Sequence, residues 1–195
     1  MFVLNLLKWK KKAKTTMANE QSAPNFFAVV NDMAKRFVEL MQSDYRMKRK
    51  VGRNYTNAVA SGTLEKSLAY RLKIKGNSID ISIYAKGKAS QYFLARENGR
   101  KAGKQPPVSA ILDWMRIKPI KLRDKESGKF QKPTEALKKQ VAFLIARKIG
   151  RDGIKGWKAF DYAMENIWDE YESKVVEAYG KDFTAVIENQ FNDIQ

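Results

Sequence analysis

The stretch YRLKIKGNSIDISI, residues 70–83, alternates apolar and polar side chains on both sides of a Gly-Asn pair. Alternation with a period of two is typical of a strand with one buried face, and Gly-Asn is typical of a two-residue hairpin turn. Such a turn sets the opposed pairs of one face: Tyr70 with Ile83, Leu72 with Ile81, and Ile74 with Ile79. On the other face it sets Lys73 opposite Asp80. The pattern therefore predicts an antiparallel hairpin whose apolar face is covered by other elements.

Long stretches outside the hairpin carry apolar residues at helical spacing. They predict helices from Pro24 to about Arg49, from Pro106 or Pro107, from Pro133 to Ile149, and from about Phe160. A short helix is predicted at 89–97. Three local signals set ends: Ser22 is a candidate N-cap, Gly180 a break, and Asp182 the cap of a last segment. The predicted class is α+β, a small antiparallel sheet packed against several long amphipathic helices.

The residue types present restrict the chemistry. The chain has 195 residues, no histidine, no cysteine and a net charge of +17. Disulfides, thiolate metal sites and the commonest general base are therefore excluded. We see no phosphate-binding glycine loop and no acidic metal-binding loop. We therefore expect no enzymatic activity, no catalytic or metal-binding residues and no cofactor, and hold an enzyme that works through paired carboxylates as a minor alternative.

Charge is divided unevenly along the chain. From 161 to 195 there are nine acids against two lysines, a net charge of −7, so the remainder carries +24. A basic body with an acidic end suits contact with nucleic acid or with an anionic protein. It equally suits self-association in which the end of one copy meets the body of the next.

The first 23 residues are predicted to form a basic arm ahead of a single domain at 24–195. Their apolar run precedes five lysines, the reverse of the order in a secretory signal, and is too short to span a bilayer. The alternatives are an interfacial anchor, a docking arm, a leader upstream of a start at Met17, and a mobile tail. Among these we expect an arm that docks on a partner.

Two lysine-rich loops, at 100–104 and 118–132, have the same sign as the arm. They are interpreted either as solvated surface or as a patch that meets DNA or an acidic neighbour. Aromatic residues of the acidic end are predicted to anchor its docking on an adjacent copy or on a neighbouring protein, the alternative being that these helices fold back on their own core. The predicted interaction residues are Lys8, Lys10, Lys11, Lys12, Arg100, Lys101, Lys104, Lys121, Arg123, Lys125, Tyr171, Tyr179, Phe183 and Phe191.

Three stretches form a recognisable series: ASGTLEKSLAYRLKIKGNSIDISI at 60–83, YFLARENGRKAGKQPP at 92–107, and VAFLIARKIGRDGIKGWKAFDYAMENI at 141–167. They contain a Gly-x-Leu turn before a hairpin, a Tyr followed by Glu-x-Gly, and an Ile-Ala-x-x-Ile helix followed by Gly-Ile-x-Gly and Phe. In this order they resemble the tail-completion or head–tail joining proteins of tailed bacteriophages, also called neck or minor tail proteins. That family usually has Thr where this chain has Arg100, and the arm has no counterpart in it.

The resemblance implies a virion protein, assembled in the host cytoplasm, that forms a homo-oligomeric ring at the head–tail junction. Its partners would be portal, connector or tail proteins around the channel through which DNA is ejected, with possible non-specific contact to that DNA. The resemblance implies no enzymatic activity. The alternative, based on net charge alone, is a basic protein that binds nucleic acid independently of sequence.

Overall fold

The fold is that of a computed structural model, which describes residues 2–6, 23–51, 54–75, 78–118, 120, 122–123, 127–132 and 134–192. Side chains are described for most of these residues. The strands are β1 (Phe2–Leu6), β2 (Arg49–Val51), β3 (Asn54–Thr56), β4 (Leu68–Lys75), β5 (Ser78–Ala85), β6 (Gly99–Arg100), β7 (Leu122–Arg123), β8 (Phe130–Gln131) and β9 (Ile154–Lys155). The helices are α1 (Pro24–Arg46), α2 (Thr63–Ser67), α3 (Ser90–Asn98), α4 (Val108–Ile117), α5 (Glu135–Asp152) and α6 (Ala159–Asn192).

The hairpin pairs in the predicted register. β4 and β5 are antiparallel, with Tyr70 opposite Ile83, Leu72 opposite Ile81, and Lys73 opposite Asp80. Ile81 and Ile83 are buried in the main apolar core, and Leu72 packs against that core at its margin. The α+β class and the covered apolar face are therefore confirmed.

A third strand lies on the far side of β5. Residues 2–6 form β1, which pairs antiparallel with β5 to give the sheet order β1-β5-β4. For these residues, the expectation of an arm docked on a partner is wrong, because their backbone groups bond to the chain's own central strand. The lysines predicted as the basic part of the arm, Lys8 and Lys10 to Lys12, lie outside the described residues.

The main core forms where α1 and α6 pack lengthwise against each other and α1 covers the sheet. Tyr45 and Met41 of α1 and Ile167 of α6 are among its largest fully buried side chains. Their spacing places one apolar stripe on each helix, so each helix buries a single face against the other.

The end of the chain differs from the prediction of two segments broken at Gly180. α6 runs without interruption from Ala159 to Asn192, and no atom outside its own backbone lies within 4 Å of a Cβ built on Gly180. Asp182 is 2% exposed and caps α1 instead of its own helix. It accepts hydrogen bonds from Asn25 N at 3.1 Å and from Phe26 N at 2.7 Å. The residue at the N-cap position of α1 is Ala23 rather than Ser22, and it makes no side-chain cap, so the carboxylate of Asp182 supplies the acceptors that α1 lacks locally.

A second, smaller apolar cluster joins α4 to α5. Ile111 and Met115 of α4 pack against Ala142 and Ala146 of α5. The short hairpin of β7 and β8 lies between the two helices in the chain, within the segment 118–132 that was predicted to be a lysine-rich loop. We call residues 99–158 the basic lobe. It has 17 lysines and arginines against five acids, a net charge of +12.

Candidate functional site

A buried polar junction lies where the C-terminal end of α1 meets α3 and the start of α6. Glu97 is 1% exposed and accepts hydrogen bonds from the Tyr45 hydroxyl and, at 2.8 Å, from Phe160 N. Burial raises the pKa of Glu97, although these donors oppose the shift. Burial also raises the pKa of Tyr45, and the charge of Glu97 adds to that shift. A carboxyl enclosed in this way fixes three helices in position, and is sealed from solvent.

Trp157 connects the junction to two cations. The Arg49 and Arg96 guanidinium carbons lie 4.8 and 5.1 Å from its ring centroid. Arg49 also pairs with the buried carboxylate of Asp44 and donates to Trp157 O at 2.7 Å. Burial lowers the pKa of Arg96, whose Nε has no hydrogen-bond partner among the described residues. The ring therefore serves as the principal contact for a partly desolvated cation.

Two glycine motifs that lie far apart in the sequence meet beside this junction. β6 pairs with β9, with Gly99 opposite Lys155 and Arg100 opposite Ile154. A Cβ on Gly99 would lie 2.3 Å from Ile154 O, and one on Gly156 would lie 2.1 Å from Glu97 O. Only glycine allows the two backbones to approach so closely. The Glu-x-Gly and Gly-Ile-x-Gly stretches are thus two halves of one backbone contact.

The strap that follows, residues 100–104, was predicted to be a loose loop, but its backbone is tied to α5 and β9. Gly103 N donates to Gly150 O at 2.8 Å, and the Arg100 guanidinium donates to Lys104 O. Arg100, Lys101 and Lys104 are all exposed. The strap therefore presents three cations from a fixed backbone.

The other predicted interaction residues have different outcomes. Lys121 and Lys125 lie outside the described residues, and only the backbone of Arg123, in β7, is described. Tyr171 is 3% exposed in the main core and donates to Asp32 Oδ2 at 2.5 Å, so the prediction of an intermolecular anchor is wrong there. In the rest of the acidic end, Tyr179 is 38% exposed, Phe183 is 45% exposed, and the side chain of Phe191 is not described.

A cleft opens between residues 58–65 and the exposed faces of α3 and α4. Tyr45 and Arg96 lie at its inner side, and Tyr92 and Trp114 line it. Trp114 is 38% exposed here. At the same edge, Lys118 Nζ donates to Asn57 O at 2.9 Å and to Val59 O at 3.1 Å, which ties the end of α4 to the cleft wall. Two aromatics and a cation give this cleft the character of a surface for planar or anionic groups.

Exposed apolar residues on α5 and α6 escaped the sequence reasoning. On α5, Phe143 and Leu144 are 47% and 53% exposed, although Leu144 was predicted to face inward. On α6, Trp168 and Val176 are also exposed. The sequence signal for such residues is the number of apolar positions in each helix. Both helices carry more apolar residues than one buried stripe can hold, so some of these residues must be exposed.

Comparison with family models, with curated proteins and with solved structures gives no match. Across the part of the chain that is described, no three acidic residues gather where they could hold a metal ion. Within the same part, every helix is too short or too polar to cross a bilayer.

Proposed function

We propose that the chain is a structural subunit of a tailed bacteriophage, forming a ring at the head–tail junction that joins portal and tail around the DNA channel. The observation that carries the proposal is the contact between Glu97–Gly99 and Gly153–Gly156. Both segments belong to the stretches that resemble the tail-completion family. They meet through backbone atoms, so their role in this chain is architectural.

The remaining stretch of the resemblance packs at the same end of α1. Glu65 of α2 pairs with Arg46, and Gln42 Nε2 donates to Glu65 O at 3.0 Å. The three stretches therefore surround one helix end and support the scaffold that the resemblance implies. The surfaces they leave exposed, a basic lobe and an acidic helix, are opposite in charge, which suits head-to-tail contacts between copies in a ring.

The test is imaging of particles of the phage that carries the gene, with an affinity label on the chain. We expect the label as a closed ring at the head–tail junction, and we expect deletion of the gene to leave filled heads and tails that do not join. A chain that is missing from finished particles, or deletion particles that are joined and infectious, would contradict the proposal.

A second candidate is sequence-independent binding to nucleic acid, favoured by the +12 of the basic lobe and by its exposed strap. Phosphate contacts release counterions, so duplex affinity should fall steeply with salt, with a log–log slope near −0.9 for each phosphate neutralised. Changing Arg100, Lys101 and Lys104 to Gln should flatten that slope by about 2 to 3.

The matched control changes three exposed lysines outside the lobe, Lys66, Lys86 and Lys88, to Gln. The control should leave the slope nearer that of the unmodified chain than the strap variant does. Equal slopes for the two triple variants would remove the strap from the binding surface. A thousandfold preference for one duplex sequence would contradict sequence-independent binding.

A further inference from the structure

A second apolar stripe runs along α6, beside the one that packs on α1. It is formed by Trp168, Val176, Tyr179, Phe183 and Ile187, which are between 36% and 67% exposed. At about 100° per residue these positions fall within an arc of about 100°, and they span about 28 Å of helix. Helix geometry places this outer stripe about 120° around from the buried one, so its neighbour α1 reaches it only at one edge, where the Tyr179 ring meets Phe26 with the ring centroids 5.9 Å apart.

The charges next to the outer stripe of α6 are all negative. Asp161, Glu165, Asp169 and Glu172 fall within the same arc, with Asp161 paired to Lys158 at 2.9 Å, whereas the two lysines of α6 fall on the opposite flank. Glu172 lies within the stripe itself, is exposed, and has no ion-pair partner among the described residues. The outer face of α6 is therefore apolar and acidic.

α5 presents the complementary face. Phe143 and Leu144 lie on its exposed side, where the neighbouring charges are Lys139, Arg147 and Arg151. The acids of α5 lie near its ends, with Asp152 paired to Arg151 and Glu135 to Lys138. Arg147 is exposed and unpaired within the described part of the chain. The outer face of α5 is therefore apolar and cationic.

We propose that the outer face of α6 in one copy docks on the outer face of α5 in a second copy. The outer face of α6 carries its acids over 161–172 and most of its apolar residues over 176–187, and the outer face of α5 carries Phe143 and Leu144 among three cations. Each face therefore combines apolar groups with charges of one sign, and the two signs are opposite, as in many protein interfaces. Within the chain each helix already has its own neighbour, since α5 packs on α4 and α6 on α1. The aromatic and aliphatic residues supply most of the affinity, and the charges set orientation and reject α5–α5 or α6–α6 pairs.

Because the contact joins two different surfaces, each copy keeps one free face of each kind, and repetition closes into a ring when the rotation allows. The inference rests on the homo-oligomer of the proposed function but not on its place in a virion. Purified protein that assembles through these faces, yet is missing from particles, would keep the inference and remove the proposed function. A ring in particles whose subunits contact one another through other faces would keep the proposed function and remove the inference.

The test is charge reversal of one residue on each face, Glu172→Lys and Arg147→Glu, measured by sedimentation of the full chain over a range of concentrations. Each variant alone places like charges together at every junction, so self-association should weaken about tenfold or more. An equimolar mixture of the two variants should restore assembly. In alternating copies, the new lysine of one variant meets the new glutamate of the other at one junction, and the natural pair of Glu172 and Arg147 forms at the next. Rescue by mixing can arise only between chains.

Glu188→Lys is the matched control, since it makes the same charge change on the flank of α6 away from the outer stripe. It should leave the association constant within about twofold. The proposal is overturned by a chain that stays monomeric at high micromolar concentration, by variants that associate like the unmodified chain, or by a mixture no better than its components.

Discussion

Gly156 is the position at which the backbone leaves least room for a side chain, and its replacement by alanine gives a sharp test of the glycine contact. A Cβ there would lie 2.1 Å from Glu97 O and 2.6 Å from the carbonyl carbon of Asn98. Ordinary contact begins at 3.4 Å, so the two backbones must separate by about 1.3 Å. Gly156 does not have a left-handed φ, so the effect is one of space alone.

The cost follows from what that separation breaks. Trp157 N donates to Arg96 O at 2.9 Å, and Lys158 N donates to Glu97 O at 3.3 Å, across the same contact. Overpacking contributes about 1–3 kcal/mol and each weakened hydrogen bond about 1 kcal/mol. We therefore expect Gly156→Ala to lower the free energy of unfolding by about 3–5 kcal/mol. In a chain of this size that lowers Tm by about 10 °C.

Gly180→Ala is the matched control, because it makes the same chemical change inside α6 with no neighbouring atom within 4 Å. Alanine favours a helix over glycine, so this variant should gain about 0.5–1 kcal/mol. Both are measured by circular dichroism at about 222 nm, the helix band, in thermal and urea unfolding, at one protein concentration. A Gly156→Ala variant that unfolds at the same temperature and urea concentration as the unmodified chain would refute the reasoning. So would a Gly180→Ala variant that loses as much stability as Gly156→Ala.

Three further changes test the polar contacts of the fold. Asp182→Ala removes the carboxylate that caps α1 and should lower the free energy of unfolding in urea by about 2–3 kcal/mol. Asp182→Asn keeps one acceptor and should lower it by less. If both variants lost a negligible amount of stability, the cap would be excluded. Because burial raises the pKa of folded Glu97 above its ordinary 4.5, stability should fall as pH rises from there through the folded pKa. Glu97→Gln should therefore gain stability relative to the unmodified chain as the pH rises above about 4.5, and parallel stability curves would contradict this. Lys118→Met removes donors to Asn57 O and Val59 O and should cost about 1.5–3 kcal/mol, with hydrogen exchange at 57–59 accelerated; unchanged exchange would argue against the tie.

The hairpin could be predicted from sequence because its information is local. The period of two, the turn pair and the cross-strand register all lie within residues 70–83, and each independently requires the same pairing. β1 could not be predicted in this way. Its partner is β5, more than seventy residues away, and a short apolar run before lysines has the same local pattern whether it pairs with a sheet or inserts into an interface.

Asp182 shows how a correct chemical expectation can be assigned to the wrong element. An aspartate soon after a glycine is a plausible cap for the helix that follows, and local sequence cannot distinguish this from a cap for a helix elsewhere. The signal that decides is the stripe of Ile167, Tyr171, Val175, Ala178 and Asp182, buried at helical spacing through Gly180. Tertiary packing along α1 offsets the cost of one helical glycine, so the stripe overrides the local break signal.

The distribution of charge is the feature that the fold alone does not account for. A net +12 within residues 99–158 opposes compaction, because like charges repel and salt screens them only in part. The lobe's apolar cluster with Ile111, Met115, Ala142 and Ala146 is small, so its folded state gains little to offset that repulsion. Acids that could neutralise the lobe are present in the same chain, but they lie on α6, which packs against α1 instead. Docking of an acidic face or of phosphates on the lobe would relieve the repulsion, and that is the energetic reason to look for the function of this chain on its surfaces rather than in its buried polar junction.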